Sequence, residues 1–272
     1  MVRAVVVGGS SGMGSAFARH AVRQGGEVII CSRSQEKLDK AADAIASAGG
    51  EGARERVRTK VLDNTNEEEV KKFFEELPPS SFDALVVTAL GRAAHGSFLQ
   101  LETSKAREVM EGKLWGPWYC AKYGAPKMAA GGAIVFVSGV LNRRPGLNCS
   151  PLGAANGAVE ALTRSLALEL GPQLRVNCLS PGFVDTERFD HMEAEKKTQM
   201  MDATAASLPL KCVGDPDVIG EALYFLATNK FTTGVVLDVD GGHQIRQYAL
   251  PNDVYHSLRA SGTLPAIFQL QP

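Results

Sequence analysis

The chain has 272 residues, enough for one large α/β domain with a substantial core. Its 29 Lys and Arg against 30 Asp and Glu give no electrostatic reason to expect a nucleic-acid or anionic-membrane partner. Five widely spaced cysteines (31, 120, 149, 178, 212) fit free thiols in a reducing compartment better than a disulfide framework or a metal site.

The first strand, around Val5–Val7, breaks into Gly8-Gly9-Ser10-Ser11-Gly12-Met13-Gly14 and then into the helix-like run Ser15-Ala16-Phe17-Ala18. Glycines admit positive φ and close backbone approach, so such a turn can present N–H groups to a diphosphate at a helix N-terminus. Alone, the pattern also fits a plain strand-to-helix connection. Because this strand starts almost at once, no signal or transit segment is read, and no apolar run approaches the ~20 residues of a membrane span. A cytoplasmic protein is expected.

Strands and helices then alternate. Glu27–Cys31 reads as a strand, Gln35–Ala48 as a helix, 56–62 as a strand, and 67–77 as a helix stopped by Pro78-Pro79. Ala84–Thr88 follows as a strand, Ser104–Met128 as mostly helix, Ala133–Ser138 as a strand and Ala154–Leu170 as a long helix. Leu174–Leu179 and Val235–Val239 complete the strands. Continuous apolar strands separated by helices predict a doubly wound parallel sheet covered on both faces, a Rossmann-type, three-layer α/β/α single domain over residues 1–247. The polar, Met-bearing interval 185–212 leaves the sixth strand on the ligand side and reads as a lid, with an ordinary solvated helix pair as the alternative.

The chain resembles the short-chain dehydrogenase/reductase family over roughly residues 2–245. Gly8-x-x-x-Gly12-x-Gly14 matches its glycine motif, with Val7 replacing the usual threonine, and Asp63 follows the third strand. Arg175-Val176-Asn177-Cys178-Leu179-Ser180-Pro181-Gly182 with Val184 and Thr186 is similar to the segment flanking the nicotinamide, and Leu237–Gly242 to the closing strand. The resemblance implies a nucleotide site built from Gly8, Ser10, Ser11, Gly12, Met13, Gly14, Ser32, Arg33, Asp63, Asn64, Ala89, Lys113, Asn156, Pro181, Gly182, Val184 and Thr186.

Members that bind NAD place an acid at the end of the second strand, for the ribose 2′-OH. Here that place holds Cys31-Ser32-Arg33. No carboxylate repels a 2′-phosphate, and Arg33 with Ser32 can bind one, so NADP(H) is the expected cofactor.

The catalytic positions depart from the family. Aligning Ala158–Ala167 puts Leu152 where the tyrosine belongs, Asn156 at the lysine, Gly139 at the serine with Ser138 just before it, and Lys113 at the asparagine. Lysine and asparagine look exchanged between two helices, and the phenol that normally delivers a proton is lost. Lys113, Ser138 and Asn156 are the candidate catalytic residues; the Arg143/Arg144 pair, in a loop over the cleft, reads equally as electrostatic stabilisers only or as surface residues. The readings left open are an NADP(H)-dependent reductase of C=O, C=N or activated C=C bonds, and a catalytically inactive NADP(H)-binding sensor or scaffold.

His95 and His243 read as exposed turn residues, Tyr119 and Tyr123 as helix-interface residues, and Trp115 and Trp118 as core or interface. Helices 104–128 and 154–170 are apolar on more than one face. The family pairs these helices across a two-fold axis, which implies a homodimer or homotetramer. The tail 248–272, with Tyr248, Leu250, Tyr255, Leu258 and Phe268, is too apolar for a free tail and is expected at an interface.

Overall fold

In the computed structural model, described for residues 1–91 and 94–245, seven parallel strands form one sheet in the order β3-β2-β1-β4-β5-β6-β7. The strands are β1 (Arg3–Val7), β2 (Glu27–Ser32), β3 (Val57–Val61), β4 (Phe82–Val87), β5 (Met128–Val137), β6 (Leu174–Pro181) and β7 (Val236–Val239). Helices α1 (Gly12–Arg23), α2 (Gln35–Ala48) and α8 (Pro216–Thr228) cover one face. Helices α3 (Glu67–Glu76), α5 (Gly116–Gly124) and α6 (Ser150–Leu170) cover the other, with α4 (Thr103–Met110) before α5 and α7 (Ala194–Ser207) beyond the strand ends. Side chains of a strand alternate between faces, so Val6 joins Phe17, Leu38 and Leu223 in one core layer, while Val5 and Val7 join Phe74, Cys120 and Leu162 in the other. No described helix is long and apolar enough to cross a membrane.

The strand order reverses at β1, which pairs with β2 on one side and β4 on the other. A crevice opens outside the carboxyl ends of strands at such a point. The glycine turn leaves β1 there. A Cβ on Gly14 would run into the Gly8 carbonyl and Thr88 Oγ1, so this glycine lets α1 sit down on β1 and β4. Gly14→Ala is expected to cost about 2–4 kcal/mol, because backbone cannot move aside. Urea unfolding would measure it, and an unchanged midpoint would refute the close approach.

Three elements differ from the sequence expectation. The expected helix 104–128 is interrupted by a π-helical turn, Glu111–Trp115, and ends before Met128, which already belongs to β5. Gly112 makes the interruption possible, because a Cβ there would lie 2.7 Å from the Gly91 Cα. The long helix starts at Ser150 with Pro151 in its first turn. Helix α8 went unread, although Asp215 caps it through the Asp217 N–H, Pro216 opens it, and Ile219, Leu223, Leu226 and Ala227 give its buried spacing.

Candidate active site

A cavity of about 1070 Å³ follows the strand ends from α2 to the segment after β6. It is lined by Gly8, Ser10, Ser11, Gly12 and Met13 of the turn and by Ser32, Arg33 and Asn64. Ala89, Lys113, Ser138, Asn156, Pro181, Gly182, Val184 and Thr186 line it as well. Of the expected site residues, Gly14 and Asp63 are not among the lining residues. Gly14 is spent on helix packing. The Asp63 carboxylate accepts the Thr65 N–H at 3.0 Å and the Thr65 hydroxyl at 2.8 Å, an Asx turn leading to α3.

Lys113 sits on the π-helical turn and is 4 % exposed. Irregular helical turns of this kind are frequent at functional sites. Its Nζ donates to the Ser138 carbonyl at 3.0 Å. Burial pulls this ammonium down to about 8, with Arg188 pushing the same way. It can therefore change protonation near neutral pH.

Asn156 approaches the adjoining peptide from α6, its Nδ2 donating to the Gly139 carbonyl at 3.1 Å. A Cβ at position 139 would stand 3.0 Å from that Nδ2, so glycine there leaves the room that Asn156 fills. The Asn156 Oδ1 is buried without a hydrogen-bond partner among the described residues. Leu152 packs with Val109 and Ala155 and presents an apolar wall to the cavity.

Ser138 lines the cavity, but its hydroxyl donates to Glu160 Oε1 at 2.9 Å. As a proton donor it would first have to leave that carboxylate. Sequence leaves the arginine pair open between substrate binding and a surface role. Arg143 is committed to Glu160 at 3.1 Å, Ser180 Oγ at 2.7 Å and Asp238 at 2.6 Å, which ties the ends of β6 and β7 to α6. Neither Arg143 nor Arg144 is among the lining residues.

Several lining residues were missed from sequence. Lys37, Lys40, Ala41 and Ala44 present one face of α2 beside Arg33, and their 3–4-residue spacing was the available signal. His95, exposed as expected, and His243, half-buried, also line the cavity; His95 Nδ1 lies 3.4 Å from Cys149 Sγ. Tyr123 meets the helix-interface expectation, its hydroxyl donating to Glu67 of α3 at 2.7 Å.

A nicotinamide dinucleotide fits these residues on three observations. The glycine turn is a cradle that side chains would fill. Six lysines and arginines among the described residues line the cavity (Arg19, Arg33, Lys37, Lys40, Lys113, Arg188), as an anionic ligand requires. The orphaned Asn156 Oδ1 waits for a donor such as a hydroxyl.

The family described as enoyl-(acyl carrier protein) reductase matches residues 7–244. A cis-4-hydroxycyclohexanecarboxylate dehydrogenase of Sinomonas cyclohexanicum is 34% identical over 247 residues, 88% of this chain and 95% of that protein. Carbonyl reductase family member 4 of Danio rerio is 28% identical over 245 residues, 89% of this chain and 98% of its own length. Among solved structures, a small-chain dehydrogenase in complex with NADPH superimposes with a TM-score of 0.73 at 32% identity, covering 90% of this chain and 99% of that one.

Proposed function

The chain belongs to the short-chain dehydrogenase/reductase family, and from that premise we propose that it is an NADP(H)-dependent reductase in which Lys113 takes over from the missing phenol. The observation that carries this reading is a buried, titratable ammonium lining the same cavity as the glycine turn. The NADPH-bound relative supports the choice of cofactor.

When bound, the cofactor supplies hydride to an electrophilic carbon. The rest falls to the chain. Lys113 keeps N–H groups free beyond its bond to the Ser138 carbonyl, and these stabilise the negative charge that develops on a substrate oxygen or nitrogen and return a proton to it. Asn156 Oδ1 accepts from a hydroxyl of the nucleotide or the substrate, and Leu152 keeps water from that side. Thr186, Glu187, Arg188 and Phe189 cover the cavity as the start of a lid; Met192, Met200 and Met201 of the expected lid 185–212 are not among its lining residues.

The test is NADPH oxidation across a panel of ketones, iminium ions and activated alkenes, beside NADPH and NADH binding by fluorescence. Turnover on any member supports the reductase. Leu152 favours one other reading, a nucleotide sensor without chemistry, and tight NADPH binding with no turnover across the panel would select it.

We also propose that the protein pairs with itself through α6. Ala154, Ala161 and Leu168 recur at seven-residue spacing and are exposed, Leu168 at 84 %, and Trp115 of the π-helical turn and Trp118 of α5 are exposed as well, at 40 % and 42 %. An apolar stripe of this kind is stable in water when covered. Leu168→Glu is expected to halve the mass measured by light scattering at micromolar concentration; an unchanged mass would remove α6 as the interface. The tail 248–272 lies outside the described residues.

A further inference from the structure

Against the six cations lining the cavity, the described lining residues include one acid, Glu187. Its side chain is exposed yet engaged. Its Oε2 accepts the Gly12 N–H at 2.8 Å, on the first turn of α1, where unpaired N–H groups and the helix dipole favour an anion. A carboxylate of the protein thus already uses the anion-binding character of the turn. Glycine permits the approach, because a Cβ at position 12 would lie 3.3 Å from the Thr186 methyl.

The segment carrying Glu187 is anchored independently of this bond. The Asp185 N–H donates to the Gly214 carbonyl at 3.0 Å. Lys197 pairs with Asp185 and with Asp190, each at 3.0 Å. Phe183 and Phe189 stack with centroids 5.1 Å apart. Releasing Glu187 from Gly12 therefore needs one side chain to swing away and leaves the fold of the segment intact.

We propose that Glu187 is an internal competitor for the cofactor's diphosphate: it closes the glycine turn in the free protein and is displaced when the nucleotide binds. The inference rests on reading the cavity as a nucleotide site, and it adds a residue that sets affinity. Binding has to break the Gly12–Glu187 bond and to place a diphosphate near a carboxylate. Both effects hold affinity below what the six cations alone would give, and both ease release.

Glu187→Gln keeps the size of the side chain and removes its charge. The expected result is a Kd for NADPH about tenfold lower than that of the wild type, the worth of one charge-assisted contact. Adenosine 2′-monophosphate, which carries the 2′-phosphate but no diphosphate, is expected to bind both proteins equally. Equal or weaker binding of NADPH by the variant overturns the proposal. An equal gain for adenosine 2′-monophosphate also overturns it, because the effect is then one of overall charge. If neither protein binds NADPH while both are folded by circular dichroism, the cofactor reading itself fails.

Discussion

Replacing Lys113 with methionine is expected to leave NADPH bound and to lower turnover about 10²–10⁴-fold, the usual worth of a positioned acid or base. Methionine fills similar space without a charge, so the packing around the π-helical turn survives. The ammonium is pulled down to about 8 by burial, whereas in an unfolded chain it titrates near 10.4. Two pH signatures follow. Wild-type turnover falls tenfold per unit above about pH 8, as the proton to be delivered is lost, while residual turnover of the variant is flat there. For stability the sign is reversed: the unfolded chain binds more protons than the folded one between about pH 8 and 10.4. Wild-type stability therefore rises with pH through that window, and the methionine variant, free of the buried charge, melts higher at pH 7 by about 5 °C. Steady-state rates, NADPH fluorescence and calorimetry on the same two proteins check all of this. Unchanged turnover, or turnover and NADPH binding lost together, would remove Lys113 as the proton carrier.

Periodicity and punctuation made most of the sheet legible. Strands such as Glu27–Ser32 are continuous apolar runs bounded by turns, and that signal survives whatever packs around it. The break at Glu111–Trp115 was not legible, because its cause is tertiary: Gly112 presses against Gly91, twenty-one residues earlier in the chain and brought close only by folding. The same holds for the site. Motif and alignment name Gly8, Gly12 and Lys113 one by one, and all three line the cavity. Arg143 stays open in sequence between substrate binding and a surface role, because its partners Glu160, Ser180 and Asp238 come from three elements whose meeting only the fold decides. Glu187 was passed over as one charge in a polar stretch, and nothing local marks it as the acid that crosses to α1.

Arg33→Ala is expected to weaken NADPH about tenfold to thirtyfold while leaving NADH unchanged, and Arg33→Asp to reverse the preference. The guanidinium stands just past the end of β2 beside Ser32, with Lys37 and Lys40 on the adjoining face of α2. A 2′-phosphate bound there gains charge-assisted bonds worth about 1.5–3 kcal/mol each in a buried setting. Arg33 is exposed, so water and salt reduce this toward the lower end, about tenfold. Lys37→Ala is expected to cost less, since a flexible ammonium lacks the planar fork that grips phosphate by two bonds. Lys40 is partly held by Glu36 at 2.7 Å and contributes least. The aspartate variant adds repulsion to the lost attraction and gives the ribose 2′-OH an acceptor, which is how one side chain can exchange the cofactors. Titrations with both nucleotides at two salt concentrations measure these effects. A loss shared equally by NADPH and NADH would mean that Arg33 supports the pocket without reading the 2′-phosphate, and the choice of cofactor would then rest on Lys37 and Lys40.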